Sequence, residues 1–291
     1  MNPYVEKFAA SLTENGKSQN TIANYARNAD LFCAWLESVI GSEFDGKITT
    51  MDIAAYTRYL SDQKKQSLNS IKAKLTAVQK FADYLAQSGT MQAIKVQQKK
   101  GDVEPDVEVL EKNDLYRYLR YTMNTGNLLN IAIVQLILNT GIRASELCNL
   151  ELSDLDITER KGSVTIRSGK GNKHREIPLN KDARQALQNY IDHARPADAE
   201  SNHVFIGQRG AITRNAVYKI CAKLGEQAIG KTVYPHLLRH QCFTTMAKNP
   251  EIDLKTISAI AGHSSTELTT RYYIHSSKQE KINAVDTLTF F

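Results

Sequence analysis

Long apolar runs are missing from this 291-residue chain. No stretch approaches the ~18 apolar residues that a membrane helix needs. The opening MNPYVEKFAA also lacks the apolar core of a secretory signal. A membrane partner is therefore not expected, and the cytoplasm is the default compartment. Cysteine is scarce too. Cys33, Cys148, Cys221 and Cys242 stand far apart with no C-x-x-C pair, so buried thiols are expected rather than disulfides or a zinc site. No acidic or Cys/His cluster has metal-ligand spacing, and no G-x-x-x-x-G-K-[ST] phosphate loop occurs. Neither a metal nor a nucleotide cofactor is expected.

What is present suits a folded protein with a sizeable core: 42% hydrophobic and 23% charged residues. The length allows one large or two ordinary domains. Lys and Arg number 37 against 31 Asp and Glu, a net charge of +6. That excess fits a polyanionic partner such as nucleic acid, and equally a solvated basic surface.

The first 90 residues read as helices. Ile22, Tyr25, Ala29, Phe32 and Leu36 recur at steps of three and four behind a candidate N-cap, Ser18. Ile71, Leu75, Val78, Phe81 and Leu85 make a second stripe, and TTMDIAAYTRYLSDQ between them predicts a helix opened by Thr50. Two helix starts carry Lys17, Ser18 and Asn20, and Asn69, Lys72 and Lys74. Such ends suit phosphate oxygens, because free backbone N–H groups point outward there; they also suit plain capping. Residues 91–108 lack periodicity and contain Gly101 and Pro105, which marks a linker. Domains over 1–90 and 109–291 follow. The second begins with helices, one of them strongly apolar and ending at Gly141. Short strands are expected at 163–167 and 175–179 around a basic, Gly-rich turn, with helices from Lys181 onward. The fold class is mainly α with a small antiparallel sheet.

Four signals fall in order in the second domain. Arg143 follows the apolar helix in TGIRASELC. Lys170 sits between glycines in SGKGNKHREIPL. His236 and Arg239 stand three apart in PHLLRHQ, and His263 in AGHSS is nine residues before Tyr272. Each alone has a plain reading. Arg143 with Glu146 can be a helix ion pair, Gly-Lys-Gly a hairpin tip, and Gly-His a cap. Together, in this order and spacing, they make the chain resemble the tyrosine recombinases, the integrases and Xer-like recombinases. The likeness covers nearly the whole chain, since that family carries a helical DNA-clamping domain in front, similar to GKSQNTIANYARNADLFCAWL.

The resemblance implies a C-shaped clamp around double-stranded DNA at a specific core site, with a helical core-binding domain and a catalytic domain. It implies that Arg143 and Arg239 fork onto the non-bridging phosphate oxygens and stabilise the transition state. A tyrosine then attacks phosphorus to give a covalent 3′-phosphotyrosyl link, and Lys170 protonates the leaving 5′-oxygen. His236 and His263 bind the phosphate or handle the tyrosine proton. Glu146 is a candidate to orient Arg143, and His240 is structural support. Lys17, Ser18, Asn20, Asn69, Lys72, Lys74, Lys173 and Arg175 are the expected DNA contacts. The tail, a helix over about 277–291 ending in Leu288, Phe290 and Phe291, either packs on its own core or docks on a neighbour in a tetramer.

The nucleophile has two candidates. An ungapped count from Gly262-His263 selects Tyr272, the expected choice because it needs no insertion. The family ending T-T-x-x-Y-x-H selects Tyr273 through Thr269, Thr270 and His275. Two other functions share these residues: a type IB topoisomerase-like nicking–closing enzyme, and a catalytically silent DNA-binding regulator. Integration or excision of a mobile element, cointegrate resolution and separation of chromosome dimers stay open as biological roles.

Overall fold

A computed structural model describes residues 1–96, 108–167, 174–197 and 200–262. The chain divides into two compact units, Met1–Glu104 and Pro105–Phe291.

In the first unit the helix starts are written in short polar side chains. Asn2 accepts the Tyr4 amide at the head of α1 (Pro3–Glu14), where Pro3 needs no hydrogen-bond partner for its nitrogen. Ser18 caps α2 (Gln19–Ile40), which ends at Gly41 with φ 76°. Thr49, one residue earlier than expected, opens α3 (Thr50–Arg58) and exchanges hydrogen bonds with Asp52, a reciprocal cap. A single π turn, Tyr59–Gln63, prolongs α3, and Ser67 caps α4 (Leu68–Gln87). The two apolar stripes meet in one core, in which Phe32, Leu36, Val78, Phe81 and Leu85 are almost fully buried. Phe8 from α1 closes it, its ring 5.3 Å from that of Phe81.

The second unit runs α5 (Lys112–Asn124), α6 (Leu128–Thr140) and α7 (Ala144–Cys148). Then come β1 (Leu155–Ile157), β2 (Gly162–Arg167) and β3 (His174–Pro178), followed by α8 (Lys181–His193). The three strands form an antiparallel sheet with β2 in the centre; Val164 faces Leu155 on one side and Ile177 on the other. Strand β1 was not foreseen, because three residues are too few to show alternation. Helices do not run unbroken beyond Lys181. A hairpin of β4 (Ile206–Gly207) and β5 (Gly210–Ala211) intervenes, turning at Gly210 with φ 101°. Two-residue strands leave no periodic signal. Then follow α9 (Arg214–Ile229), α10 (Pro235–Ala247) and α11 (Leu254–Ala261). The mainly α architecture with a small antiparallel sheet is as expected.

Helix α6 is largely apolar, and α8 and α10 both pack against it. It is the spine of this unit, and its end at Gly141 sets where the next residues emerge. All four cysteines are buried. Burial pushes the thiols of Cys33, Cys221 and Cys242 up to about 12. No helix among the described residues is long and apolar enough to cross a membrane.

Candidate active site

Arg143 owes its position to the abrupt stop of α6. Gly141 takes the left-handed conformation (φ 63°), Ile142 is buried, and Arg143 then serves as the extended N-cap of α7. A Cβ at Gly141 would run into the Phe243 ring, so this turn requires glycine twice over. Glu146, at the third position of α7, grips Arg143 at both ends. Its Oε2 accepts the Arg143 backbone N–H and its Oε1 accepts Nη1, both at 2.9 Å. The side chain of Arg143 remains 39% exposed, and Nη2 donates weakly to the Gly262 carbonyl at 3.4 Å.

Helix α10 presents His236 and Arg239 one turn apart. Arg239 is only 3% exposed. Its Nη1 donates to the Gly141 carbonyl and its Nη2 to the Ala261 carbonyl at 2.8 Å, while the guanidinium carbon lies 4.8 Å from the centre of the Phe243 ring. Burial without such acceptors would be costly for a charge. His236 reaches the surface, and His240 meets it edge-on with ring centres 4.2 Å apart. The imidazole is held below its ordinary pKa, first by loss of solvent around it and then by the charges of Arg239 and Arg143. These effects favour the neutral form of His236, which lies within electrostatic reach of both arginines.

A third guanidinium completes the cluster. Arg175 on β3 donates Nη1 to Glu146 Oε1 at 3.0 Å and Nη2 to Oε2 at 2.7 Å, a bidentate pair with both side chains about 15% exposed. Its Nε donates to the Ile260 carbonyl at 3.0 Å. Desolvation pushes the Glu146 carboxyl upward, but the hydrogen bonds and charges of Arg175 and Arg143 outweigh it, and the net shift is downward. Consecutive carbonyls at the end of α11 therefore each take a different arginine: Ile260 takes Arg175, Ala261 takes Arg239 and Gly262 takes Arg143. These are the acceptors a helix leaves unpaired at its C-terminus, where the helix dipole also favours cations. With one carboxylate among three guanidiniums, the cluster keeps a net positive charge.

The described residues thus bring together Arg143, Glu146, His236, Arg239 and His240. Lys170, Lys173, His263, Tyr272, Tyr273 and the tail lie outside them. Arg175, expected on DNA, instead spends its fork on Glu146 and its Nε on Ile260, because β3 runs beside the end of α11. Ser18 and Ser67 act as helix caps. Lys17, Asn20 and Asn69 are exposed, whereas Lys74 lines a cavity of about 710 Å³ with Trp35 and Tyr59, and Lys72 is half-buried. The backbone carbonyls of Gly141 and residues 260–262 were not anticipated, since an acceptor on the main chain has no side-chain signature. Among the described residues no group of His, Cys, Asp or Glu is arranged to hold a metal ion.

A helical unit followed by an α+β unit whose arginines converge on one point defines a class: a two-domain protein with an anion-directed site. The Phage integrase family pattern matches residues 108–280, and its N-terminal SAM-like domain matches residues 5–89. The tyrosine recombinase XerD of Oceanobacillus iheyensis is 31% identical over 91% of this chain and 90% of its own length. The TnP I resolvase of Bacillus thuringiensis is 29% identical over 97% of this chain and 99% of its own. In fold, the chain resembles the XerH site-specific recombinase bound to palindromic difH substrate, with a TM-score of 0.76 at 19% identity over 96% of this chain and 84% of that one. It also resembles XerA recombinase, with a TM-score of 0.56 at 27% identity over 99% and 100%. The chain belongs to the phage integrase family, the tyrosine recombinases.

Proposed function

We propose that the chain recombines specific DNA sites by cutting and rejoining one strand at a time. The observation that carries this is the pair Arg143 and Arg239, held apart by backbone carbonyls and Glu146 but not neutralised. A scissile phosphate docked there gains charge-assisted hydrogen bonds that strengthen as its equatorial oxygens become more negative. Tyr272 Oη attacks phosphorus, the bond to the 5′-oxygen breaks, and Lys170 supplies the proton to that oxygen. The phenolic proton passes to a histidine, His236 or His263. The 3′-phosphotyrosyl link conserves the energy of the broken bond, so neither ATP nor a metal ion is required; the guanidiniums supply the positive charge. A second strand's 5′-hydroxyl reverses the step and yields a Holliday junction.

On this reading the helical unit and the catalytic unit both contact duplex DNA, with a linker near 91–108. Lys17, Asn20, Asn69 and Lys173 touch phosphates. Four protomers act on two sites, joined through the tail, in the cytoplasm at the nucleoid. Curated relatives are named as recombinases and a resolvase, which leaves a nicking–closing enzyme or a silent regulator without specific support.

The test is covalent trapping. DNA bound by the Tyr272→Phe, Tyr273→Phe double variant is sequenced to recover the site, which is then made as a nicked suicide duplex. The native protein should form a covalent protein–DNA adduct without added metal or ATP. A protein that binds this duplex tightly and yields no adduct would reject the proposal.

A further inference from the structure

The geometry points to Arg175 as a positioning residue for Arg143, acting through Glu146. The inference rests on the recombinase reading above and deepens it. Four hydrogen bonds converge on the Glu146 carboxylate. Oε1 accepts from Arg143 Nη1 and Arg175 Nη1, and Oε2 from the Arg143 amide and Arg175 Nη2. Arg143 alone would hold each carboxylate oxygen by a single hydrogen bond, the one to Oε1 through its own half-exposed side chain. The planar fork of Arg175 fixes both oxygens in one plane, and Nε of the same group is anchored on the Ile260 carbonyl. The plane of the carboxylate then sets the direction of Arg143 Nη1.

The surroundings are built around that fork. Gly262 lies against the guanidinium so closely that a Cβ there would stand 2.8 Å from Arg175 Nη1 and 3.0 Å from its central carbon. Gly262 also has φ 62°, and its carbonyl receives Arg143 Nη2. A single side chain from β3 thus ties α7, which carries Arg143, to the end of α11. Lysine cannot replace it: an ammonium can reach one carboxylate oxygen but cannot fork both and still hold Ile260. Arg175 touches no reacting atom; its effect is on where Arg143 points.

The experiment compares the native chain with Arg175→Lys and Arg175→Met. It measures affinity for the recovered site, adduct formation on the nicked suicide duplex at saturating protein, and the Nη resonances of Arg143, identified by their loss in Arg143→Lys. A positioning role predicts affinity within about 2-fold and cleavage lowered about 10- to 100-fold, Lys being milder than Met. It also predicts that the separate Nη signals of Arg143 merge as its guanidinium begins to rotate. Cleavage per folded molecule and Arg143 signals that both match the native protein, with only the melting temperature lowered, would overturn it. If the native protein itself forms no adduct, the recombinase reading fails, and the Nη signals alone decide whether Arg175 holds Arg143. Should Arg175→Met not fold, Arg175→Lys gives the same contrast.

Discussion

Gly141 and Arg239, far apart in sequence, are joined by a hydrogen bond from a buried guanidinium to a helix-ending carbonyl. The same guanidinium takes the Ala261 carbonyl at the end of another helix. Arg239 is therefore both a source of charge and a strut between α6 and α11. Arg239→Lys should weaken both roles, because the two carbonyls are taken by two separate nitrogens of a rigid fork, which a single ammonium does not reproduce. Loss of a preorganised donor predicts a fall in cleavage of about 10²- to 10³-fold. An orphaned buried carbonyl should lower stability by about 1–3 kcal/mol, read by urea unfolding.

Gly141→Ala tests the turn itself. The left-handed backbone costs a non-glycine residue about 1–3 kcal/mol, and the added methyl meets the Phe243 ring. A melting temperature well below native is expected, with cleavage falling in step because Arg143 emerges from this turn. Unchanged stability would mean that Phe243 moves aside freely.

The nucleophile is decided by a pair of variants. Tyr272→Phe should abolish the adduct while leaving affinity for the recovered site intact, and Tyr273→Phe should leave the adduct in place. The reverse result would show that the T-T-x-x-Y-x-H register is the operative one.

His236 gives a pH dependence with a defined sign. Its folded pKa lies below the ordinary 6.5, so between that value and the folded pKa the unfolded chain binds more protons. Stability should then fall as pH drops through this window, and His236→Gln should flatten that part of the curve. A bound phosphate offsets the two arginine charges, so site DNA should raise the pKa and binding should take up protons. Chemical-shift titration of the imidazole with and without the duplex measures both.

Salt separates phosphate contacts from caps. Lys17→Ala should weaken binding to all duplexes alike and reduce the slope of log affinity against log salt by about 0.9. Ser18→Ala should act mainly on stability, by about 1 kcal/mol, because its hydroxyl already accepts the Thr21 amide.

The legible parts of the fold were those with long periods or distinct punctuation. Both stripes of the first unit, the cap Ser18 and the stop at Gly141 follow from spacing and side-chain chemistry alone. Thr49 displaced Thr50 as cap because only Thr49 lies three residues before a carboxylate that can bond back. Arg143, Glu146, His236 and Arg239 were named from their order, and α7 and α10 do bring them together. The inward turn of Arg175 was not legible: a basic residue on a hairpin arm reads as a DNA contact until β3 is seen beside α11. The row of carbonyls that sorts the arginines is invisible to any reading of side chains.

The buried thiols have a practical corollary. Thiolates, not thiols, react with maleimides and iodoacetamides, and three of the four native cysteines titrate near 12, with Cys148 also raised. The folded protein is therefore a chemically quiet background. A single cysteine introduced on either unit can take a fluorophore or spin label without removal of the native four, so distances between the units can be followed in the intact chain as DNA is engaged and released.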